Sequence, residues 1–284
     1  MSLRTQLLII DPQNDFCDLP AAWRPLDPLT GQAIAPALPV AGAHADMQRL
    51  ARFIRLAGDA ITDITVTLDS HHHVDIAHPT FWQTGEGEPV TPFTTITARQ
   101  VRDGAFRPRD AAALARTLPY LDALEARGRY TLMVWPVHCE IGSWGHNVHA
   151  DVRAACNAWE DRRLGQVEMV SKGENPWTEH YSAVQAEVPD SADPGTQLNQ
   201  ALIERLDQAD RILVAGEAGS HCVKATVEHV VAHLPRRQLE RVVLLTDCIS
   251  PVGGFEAQQQ GFFAAMSAQG VQLAGSDPML NRLS

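Results

Sequence analysis

Short apolar runs alternate along the chain with longer segments in which apolar residues recur at helical spacing. The runs have the length and the β-branched content of buried strands, and the longer segments have the period of amphipathic helices. The predicted strands lie at 6–11, 61–68, 130–134, 167–171, 212–215, 242–245 and 271–274. The predicted helices lie at 44–58, 109–127, 147–161, 196–209, 222–234 and 255–268. This alternation predicts an α/β fold with a doubly wound, mainly parallel sheet of about six strands and helices on both faces.

Two segments carry no clear period. Residues 19–39 contain several prolines and predict a long loop, and residues 78–108 contain several glycines, prolines and threonines. Because irregular segments run over the surface and often carry function, 78–108 predicts an insertion near the active edge of the sheet, able to act as a lid. No internal repeat or low-complexity tract is present, so the sequence predicts one domain over residues 1–284.

The composition narrows the class of protein. The 284 residues are 45% hydrophobic and 20% charged, with a net charge of −11, as in ordinary soluble globular proteins. A nucleic acid or an anionic membrane would require a basic face, so neither is expected as a partner. The apolar run at 7–10 is too short for a signal peptide or a membrane span, and five cysteines without regular spacing do not predict a disulfide framework. These features predict a cytoplasmic protein with reduced thiols.

The strand, turn and helix at 211–234 form the element on which the functional hypothesis depends. The apolar run at 212–215 ends at Gly216, and helical spacing resumes after Gly219, which places Cys222 at or near a helix start. In a parallel sheet this turn lies at the carboxyl edge, where open α/β sheets bind ligands. Free backbone amides and the positive end of the helix dipole favour a thiolate with a lowered pKa there, and the same amides can hold an oxyanion. The alternative is a small buried hydrophobe, which we expect for the other cysteines.

Several residues with acid, base, nucleophilic or ligand chemistry stand at or just beyond predicted strand ends. They are Asp11, Asp69, His71, His138, Lys172 and Cys222. Because the carboxyl ends of parallel strands meet at one edge, we expect these side chains to converge. Taken singly, Asp11 also fits a turn cap, and Lys172 also fits a solvated surface lysine.

Asp69 and His71 offer two ligands with alternate spacing, and His138 offers another imidazole. Three nitrogen or oxygen ligands plus water form the open-site pattern of catalytic zinc, and iron or manganese also accepts such ligands. Further candidates are His72, His73 and His78. Two alternatives remain open: the histidine run is merely solvated, and His138 is a satisfied core histidine beside Trp135.

Five short motifs occur together in one order. They are DPQNDF at 11–16, DSH at 69–71, WPVHC at 135–139, KG at 172–173 and GEAGSHCV at 216–223. In this combination the sequence resembles the nicotinamidases of the isochorismatase-like cysteine hydrolase superfamily, from residue 6 to about residue 250. Each motif alone is weakly specific, whereas the ordered set is highly specific.

The resemblance implies a cysteine hydrolase acting on linear amides, with the expected reaction nicotinamide to nicotinate plus ammonia through a thioester. It implies a catalytic triad of Cys222, Asp11 and Lys172. It also implies an oxyanion hole formed by the amides of Ala218 and Cys222, with a cis peptide bond between Glu217 and Ala218.

The resemblance further implies a divalent metal, with zinc expected and iron or manganese as alternatives, and walls around a pyridine ring. The implied metal ligands are Asp69, His71 and His138, with His78 left as a candidate because its offset from His71 differs. The implied substrate-binding residues are Phe16, Trp135 and Tyr181. The chain departs from the family pattern at 219–220 and in an insertion at about 84–130, and both departures bear on the identity of the substrate.

Other functions remain open at this stage. A metal-free hydrolase of an N-carbamoyl or ureido compound would lack the metal ligands, and a silent ligand-binding relative need not retain nucleophile, base and lysine together. A thiol redox sensor is weakened because no Cys-x-x-Cys partner accompanies Cys222. The expected partner is a small-molecule amide, and the sequence leaves a homo-oligomer open.

Overall fold

The computed structural model describes residues 3–235 and 238–283. In chain order the strands are β1 (Thr5–Ile10), β2 (Asp63–Asp69), β3 (Trp82–Thr84), β4 (Thr94–Ile96), β5 (Phe106–Pro108), β6 (Leu132–Val134), β7 (Glu168–Lys172), β8 (Arg211–Gly216), β9 (Val242–Leu245) and β10 (Gln272–Ala274). The helices are α1 (Ala43–Ala57), α2 (Ala98–Arg102), α3 (Leu114–Arg127), α4 (Ala150–Arg163), α5 (Gln200–Asp207), α6 (Cys222–His233), α7 (Glu256–Ala268) and α8 (Ser276–Leu283).

Six strands form the central sheet in the order β10-β9-β8-β1-β2-β7, and every neighbouring pair is parallel. All six residues of β1 are buried. Because successive strand residues point to opposite faces, a fully buried strand must be covered on both sides. Helix α1 packs against α4 and α8, and α6 packs against α7. The predicted α/β fold with a parallel sheet of six strands is confirmed.

The segment 82–134, which contains the predicted insertion at about 84–130 and is called the insertion below, builds a small hydrophobic cluster of its own. Two antiparallel pairs, β3 with β5 and β4 with β6, surround it together with α2 and α3. Leu121, Leu132 and Val134 are buried in this cluster. The predicted strand at 130–134 therefore forms only at Leu132–Val134, and it joins the insertion instead of the central sheet. The reason is that it pairs with a local strand, Thr94–Ile96, which the sequence pattern did not reveal as a strand.

The remaining boundaries move by a few residues, as helix ends usually do. The helix predicted at 147–161 spans Ala150–Arg163, and the helix predicted at 196–209 spans Gln200–Asp207. Helix α8 was not predicted, although Ser276-Asp277-Pro278 is a recognisable helix start. Among the described helices, none has the length and apolar character that a membrane crossing requires. One domain over 1–284 stays a prediction.

Candidate active site

The three predicted catalytic residues and the predicted metal ligand Asp69 lie at the ends of four neighbouring strands. Asp11 follows β1, Asp69 ends β2, Lys172 ends β7, and Cys222 begins α6 after β8. Since β8, β1, β2 and β7 are adjacent and parallel, these residues share one edge of the sheet. The register pairs Asp69 directly with Lys172.

Lys172 is buried at the centre of this group. Its Nζ lies 3.0 Å from Asp11 Oδ2 and 2.7 Å from Asp69 Oδ1. It also donates to Cys222 Sγ at 3.6 Å and to the His180 carbonyl at 3.0 Å. Single oxygens of Asp11 and Asp69 and the Cys222 sulfur lie within 4.8 Å of one another. Burial opposes the charge of Lys172, but Asp11 and Asp69 hold its pKa well above the usual value, so it is an ammonium.

Cys222 is a neutral thiol in this setting, contrary to the thiolate that its position at a helix start predicts. Burial raises the pKa of Cys222 well above its usual value, and the charge of Lys172 offsets only part of this. Burial likewise raises the pKa of Asp11, with Lys172 opposing the shift and Asp69 adding to it. The depth of the site was not visible in the sequence, and desolvation outweighs the helix terminus here. A carboxylate with a raised pKa is a stronger base for the thiol proton.

Thr67 fixes the orientation of Asp11 and was not singled out from the sequence. Its Oγ1 donates to Asp11 Oδ1 at 2.5 Å and accepts from the Asp11 amide at 3.1 Å. Asp11 Oδ2 has no well-directed hydrogen-bond partner among the described residues, so this oxygen can accept a proton. The signal was available, because Thr67 stands two positions before Asp69 on the same face of β2.

Three imidazoles and one carboxylate form a buried cluster beside the triad. The nitrogens of His71, His78 and His138 lie within 4.8 Å of one another. Asp69 Oδ2 is 3.2 Å from His71 Nε2 and 3.3 Å from His138 Nε2. His78 Nε2 is 3.3 Å from His138 Nδ1, so the structure brings the sequence candidate His78 into the cluster. His73, in contrast, is exposed.

The donor set of this cluster fits a divalent metal. His71 Nδ1 is 3.1 Å from Asp75 Oδ2, and His138 Nδ1 is 2.8 Å from the Pro136 carbonyl. If each Nδ1 carries the proton, both Nε2 lone pairs face Asp69, as in metal sites whose ligands are oriented by outer partners. Burial and the neighbouring imidazoles lower the pKa of His78 to about 2, so it is a neutral imidazole.

Asp69 is the common partner of the metal cluster and the triad. Burial opposes its ionisation, but the charges of His71 and Lys172 hold the pKa of Asp69 well below its usual range. Asp69 and Asp75 in turn hold the pKa of His71 well above its usual value, against the effect of burial. A cation at the cluster would take the place of that proton.

A narrow cavity opens onto Cys222. Every predicted substrate-binding residue lines it, together with the predicted oxyanion residue: Phe16, Trp135, Tyr181 and Ala218. Trp135 Nε1 donates to the Tyr181 hydroxyl at 3.1 Å, which orients the two rings, and the Phe16 ring lies 5.5 Å from the His138 ring. The lining therefore combines aromatic rings with polar groups, among them Asp69, His138 and Glu179, as is common in small-molecule sites.

The turn before α6 has the backbone form that the resemblance implies, with a cis peptide bond between Glu217 and Ala218. The Ala218 carbonyl accepts from the amides of His221 and Val223 at 3.0 and 3.1 Å. The amides of Ala218 and Cys222 donate to no other group among the described residues. Two free amides, one in the turn and one at the first residue of α6, provide donors for an oxyanion.

Glu179 also lines the cavity and was missed by the sequence analysis. Burial raises the pKa of Glu179 to about 7. Its Oε1 accepts from the His180 amide at 3.0 Å, while Oε2 is buried without a partner among the described residues. The position follows Lys172 by seven residues in an irregular loop, so no periodicity pointed to it.

No protein-family model matches the sequence, and no curated protein matches it significantly. Among solved structures, the yeast nicotinamidase Pnc1p superposes with a TM-score of 0.63 and 19% identity, covering 95% of this chain and 99% of that one. A pyrazinamidase of Pyrococcus horikoshii in complex with zinc gives 0.52 and 18%, covering 96% and 99%. An isochorismatase-like hydrolase from Alkaliphilus metalliredigens gives 0.52 and 13%, covering 99% and 100%.

These likenesses cover at least 95% of each chain and establish the fold. The chain has the α/β fold that nicotinamidases, pyrazinamidases and isochorismatase-like hydrolases share. The activity of those proteins does not follow from the shared fold, because one fold hosts several chemistries.

Proposed function

We propose that this protein is an amidohydrolase that cleaves a small carboxamide, with nicotinamide to nicotinate plus ammonia as its reaction. The observation that carries the proposal is the contact of Lys172 Nζ with Asp11, Asp69 and Cys222 beneath a cavity with aromatic walls. A nucleophile, a base within reach and a fixed cation form the arrangement that covalent catalysis requires.

The reaction begins with proton transfer from the Cys222 thiol to Asp11, whose raised pKa suits it for this step. The sulfur attacks the carboxamide carbon, and the carbonyl oxygen takes up the electron pair. The amides of Ala218 and Cys222 donate to that oxygen. Asp11 returns the proton to the departing nitrogen, which leaves as ammonia, and water hydrolyses the thioester with Asp11 as base. Lys172 stays charged throughout, and its positive charge lowers the free-energy cost of a negative charge in this buried site.

The walls of the cavity support a flat aromatic substrate. The rings of Phe16 and Trp135 would flank a pyridine ring, with Tyr181 held in place by its bond from Trp135. Aromatic rings pack against other rings in offset-stacked or edge-to-face arrangements, so they favour a planar group in the substrate. Nicotinamide meets this requirement, and structural neighbours of this chain are nicotinamidases.

Asp69, His71 and His138 would hold a divalent metal, with His78 beside them, and zinc is the proposed ion with iron or manganese as alternatives. A zinc complex of a structural neighbour supports this choice. When bound, such an ion would orient the pyridine nitrogen directly or through water and lower the pKa of that water. We also propose that the protein works in the cytoplasm, which its free cysteines support.

Ammonia release from nicotinamide tests the proposal. Metal-replete protein is assayed beside Cys222→Ala and, as a matched control, Cys248→Ala, which removes a buried thiol outside the cavity. We expect turnover in the wild type and in the control, and loss of at least about a thousandfold in Cys222→Ala. No ammonia from wild-type protein would exclude the nicotinamide reaction. Release from an N-carbamoyl or ureido compound without metal would favour the metal-free alternative.

A further inference from the structure

Two buried carboxyl groups meet behind the turn that precedes α6. Glu217 is fully buried, and Asp46 in α1 is 2% exposed. Both side chains accept hydrogen bonds from one residue, Ser250, which brings the two carboxyl groups together, and burial raises the pKa of each. Because two neighbouring buried carboxylates cannot both ionise without a large cost, one of the two groups is expected to carry a proton.

Ser250 connects this pair to the turn. Its amide donates to Glu217 Oε2 at 3.1 Å, and its hydroxyl donates to Asp46 Oδ2 at 2.5 Å. The Ser250 carbonyl accepts from the Gly219 amide at 2.8 Å. Three hydrogen bonds therefore run from the carboxyl pair through one residue into the segment that presents the amides of Ala218 and Cys222. The turn is tightly packed, because a Cβ at Gly219 would collide with the side chains of Gln259 and Ile249.

The charged groups around the pair favour a state in which the two carboxyl groups together carry one negative charge and one proton. Arg49 forms an ion pair with Asp46 from within α1. Asp18, in the loop before α1, is an anion because backbone amides outweigh its partial burial and lower its pKa, and its charge contributes to the raised pKa of Glu217. Cys17 also faces Glu217, and burial keeps it a neutral thiol with a raised pKa. Burial, with Asp46 adding to it, raises the pKa of Glu217 well above its usual value.

Glu217 Oε1 is the remaining atom of the pair. It is buried and accepts no hydrogen bond from an N–H or O–H of the described residues. A buried oxygen without a donor destabilises the folded state, and a proton shared between the two carboxyl groups would remove this cost.

We propose that Glu217 is a positioning residue that works as a neutral acid: it shares one proton with Asp46 and, through Ser250, holds the turn that aims the Ala218 and Cys222 amides at the substrate. The residue touches no substrate and acts through its neighbours. The proton sharing is independent of the proposed amide hydrolysis, and the catalytic consequence rests on that proposed function.

The pH dependence of unfolding tests the proton without any substrate. A group whose pKa is raised by folding contributes stability that is complete below its unfolded value, 4.5 for Glu217, and is lost as pH rises toward its folded value. Glu217→Gln is always neutral and keeps an acceptor for Ser250 and a donor for Asp46. Guanidinium titrations give the equilibrium constant of unfolding for each protein. We expect the constant of the wild type, divided by that of Glu217→Gln, to rise by up to about tenfold per pH unit above about pH 5.5. Parallel profiles up to about pH 8.5 would overturn the proposal.

Kinetics tests the positioning role. Glu217→Ala removes the contacts with Ser250 and Asp46, so we expect kcat to fall by about ten- to a hundredfold with KM within about twofold, because the amides act in the transition state. Glu217→Gln should restore kcat to within about threefold of wild type. Asp18→Asn is the matched control: it lies near Glu217 but bonds to the start of α1, and it should keep the wild-type kcat.

The shared proton and the positioning role can be contradicted separately. Wild-type kcat in Glu217→Ala, or equal losses in the Ala and Gln variants, would overturn the positioning role. If the wild-type protein releases no ammonia from nicotinamide, the proposed reaction fails, and the unfolding comparison still decides whether the pair shares a proton. If Glu217→Ala does not fold, the unfolding comparison of the wild type with Glu217→Gln alone decides whether the pair shares a proton.

Discussion

At the scale of single residues, the proposed base depends on a neighbour in the next strand. Thr67 Oγ1 donates to Asp11 Oδ1 at 2.5 Å. We expect Thr67→Val to lower kcat by about tenfold and the free energy of unfolding by about 1–3 kcal/mol, because a buried carboxylate loses its donor. The loss also raises the pKa of Asp11 further, so the acid limb of kcat/KM should move to higher pH.

Thr65→Val is the control for this variant. Thr65 is buried on the same face of β2, and its hydroxyl accepts from Gln6 Nε2 at 2.8 Å. Its loss should lower stability by a similar amount and leave kcat and the pH profile unchanged. Equal kinetic losses in the two variants would show that Thr67 acts on folding and not on Asp11.

The residues that could be predicted are those whose place in the chain fixes their place in space. Asp11, Asp69 and Lys172 were found because parallel strand ends meet at one edge. Glu217 was not, because its role arises from Asp46 and Ser250, which are distant in sequence and carry no motif. The pKa of Cys222 was predicted in the wrong direction for a related reason: burial depends on the whole fold. The roles assigned to all these residues stay predictions until they are tested.

At the scale of elements, the insertion is tied to α6 by a polar network. Arg129, just after α3, donates to Glu187 Oε2 at 3.2 Å and to Glu228 Oε2 at 2.9 Å. Glu228 lies in α6, so the network joins the insertion to the helix that carries Cys222. Sequence patterns found α3 and α6 but not this contact, because apolar periodicity says nothing about which polar faces meet.

The network should give the stability of the protein a specific pH dependence. Burial raises the pKa of Glu187 from 4.5 to about 7. Its contribution is therefore complete below about pH 4.5 and lost as pH rises to about 7. In denaturant titrations, the free energy of unfolding of the wild type should fall relative to that of Glu187→Gln by up to about 3 kcal/mol across this range. Above this range the two free energies should change in parallel with pH.

Arg129→Met provides the opposing comparison. The charge of Arg129 lowers the pKa of Glu187, so its removal should extend the range of falling stability to higher pH. A range that stays the same in Arg129→Met would mean that the ion pair has no effect on the titration of Glu187.

At the scale of the whole molecule, the central sheet was predicted and the architecture of the insertion was not. Buried parallel strands are continuous apolar runs, which are visible in a sequence. The pairs β3 with β5 and β4 with β6 have three residues a strand, too few for a reliable period. The consequence is functional, because β6 leads directly into Trp135 and His138, and the cavity is therefore built between the sheet and the insertion.

The proposed metal should act as a link between these two parts of the molecule. Asp69 and His71 come from the end of β2 in the central sheet, whereas His138 follows β6 in the insertion. Binding to the folded state alone stabilises it by about 4 kcal/mol at a free metal concentration of roughly 1,000 times Kd. Removal of metal by a chelator should therefore lower Tm by about ten degrees and speed hydrogen exchange at 132–139, and added zinc should reverse both changes.

Two histidine variants show whether this stabilisation comes from the buried cluster. His78→Ala removes a buried imidazole 3.3 Å from His138, and we expect it to lower the bound metal and the metal-dependent rise in Tm. His73→Ala removes an exposed imidazole in the same loop and should bind metal as the wild type does. Metal content by mass spectrometry and Tm are measured on the same samples. Full metal content in His78→Ala would limit the ligands to Asp69, His71 and His138, and equal losses in both variants would place the ion elsewhere.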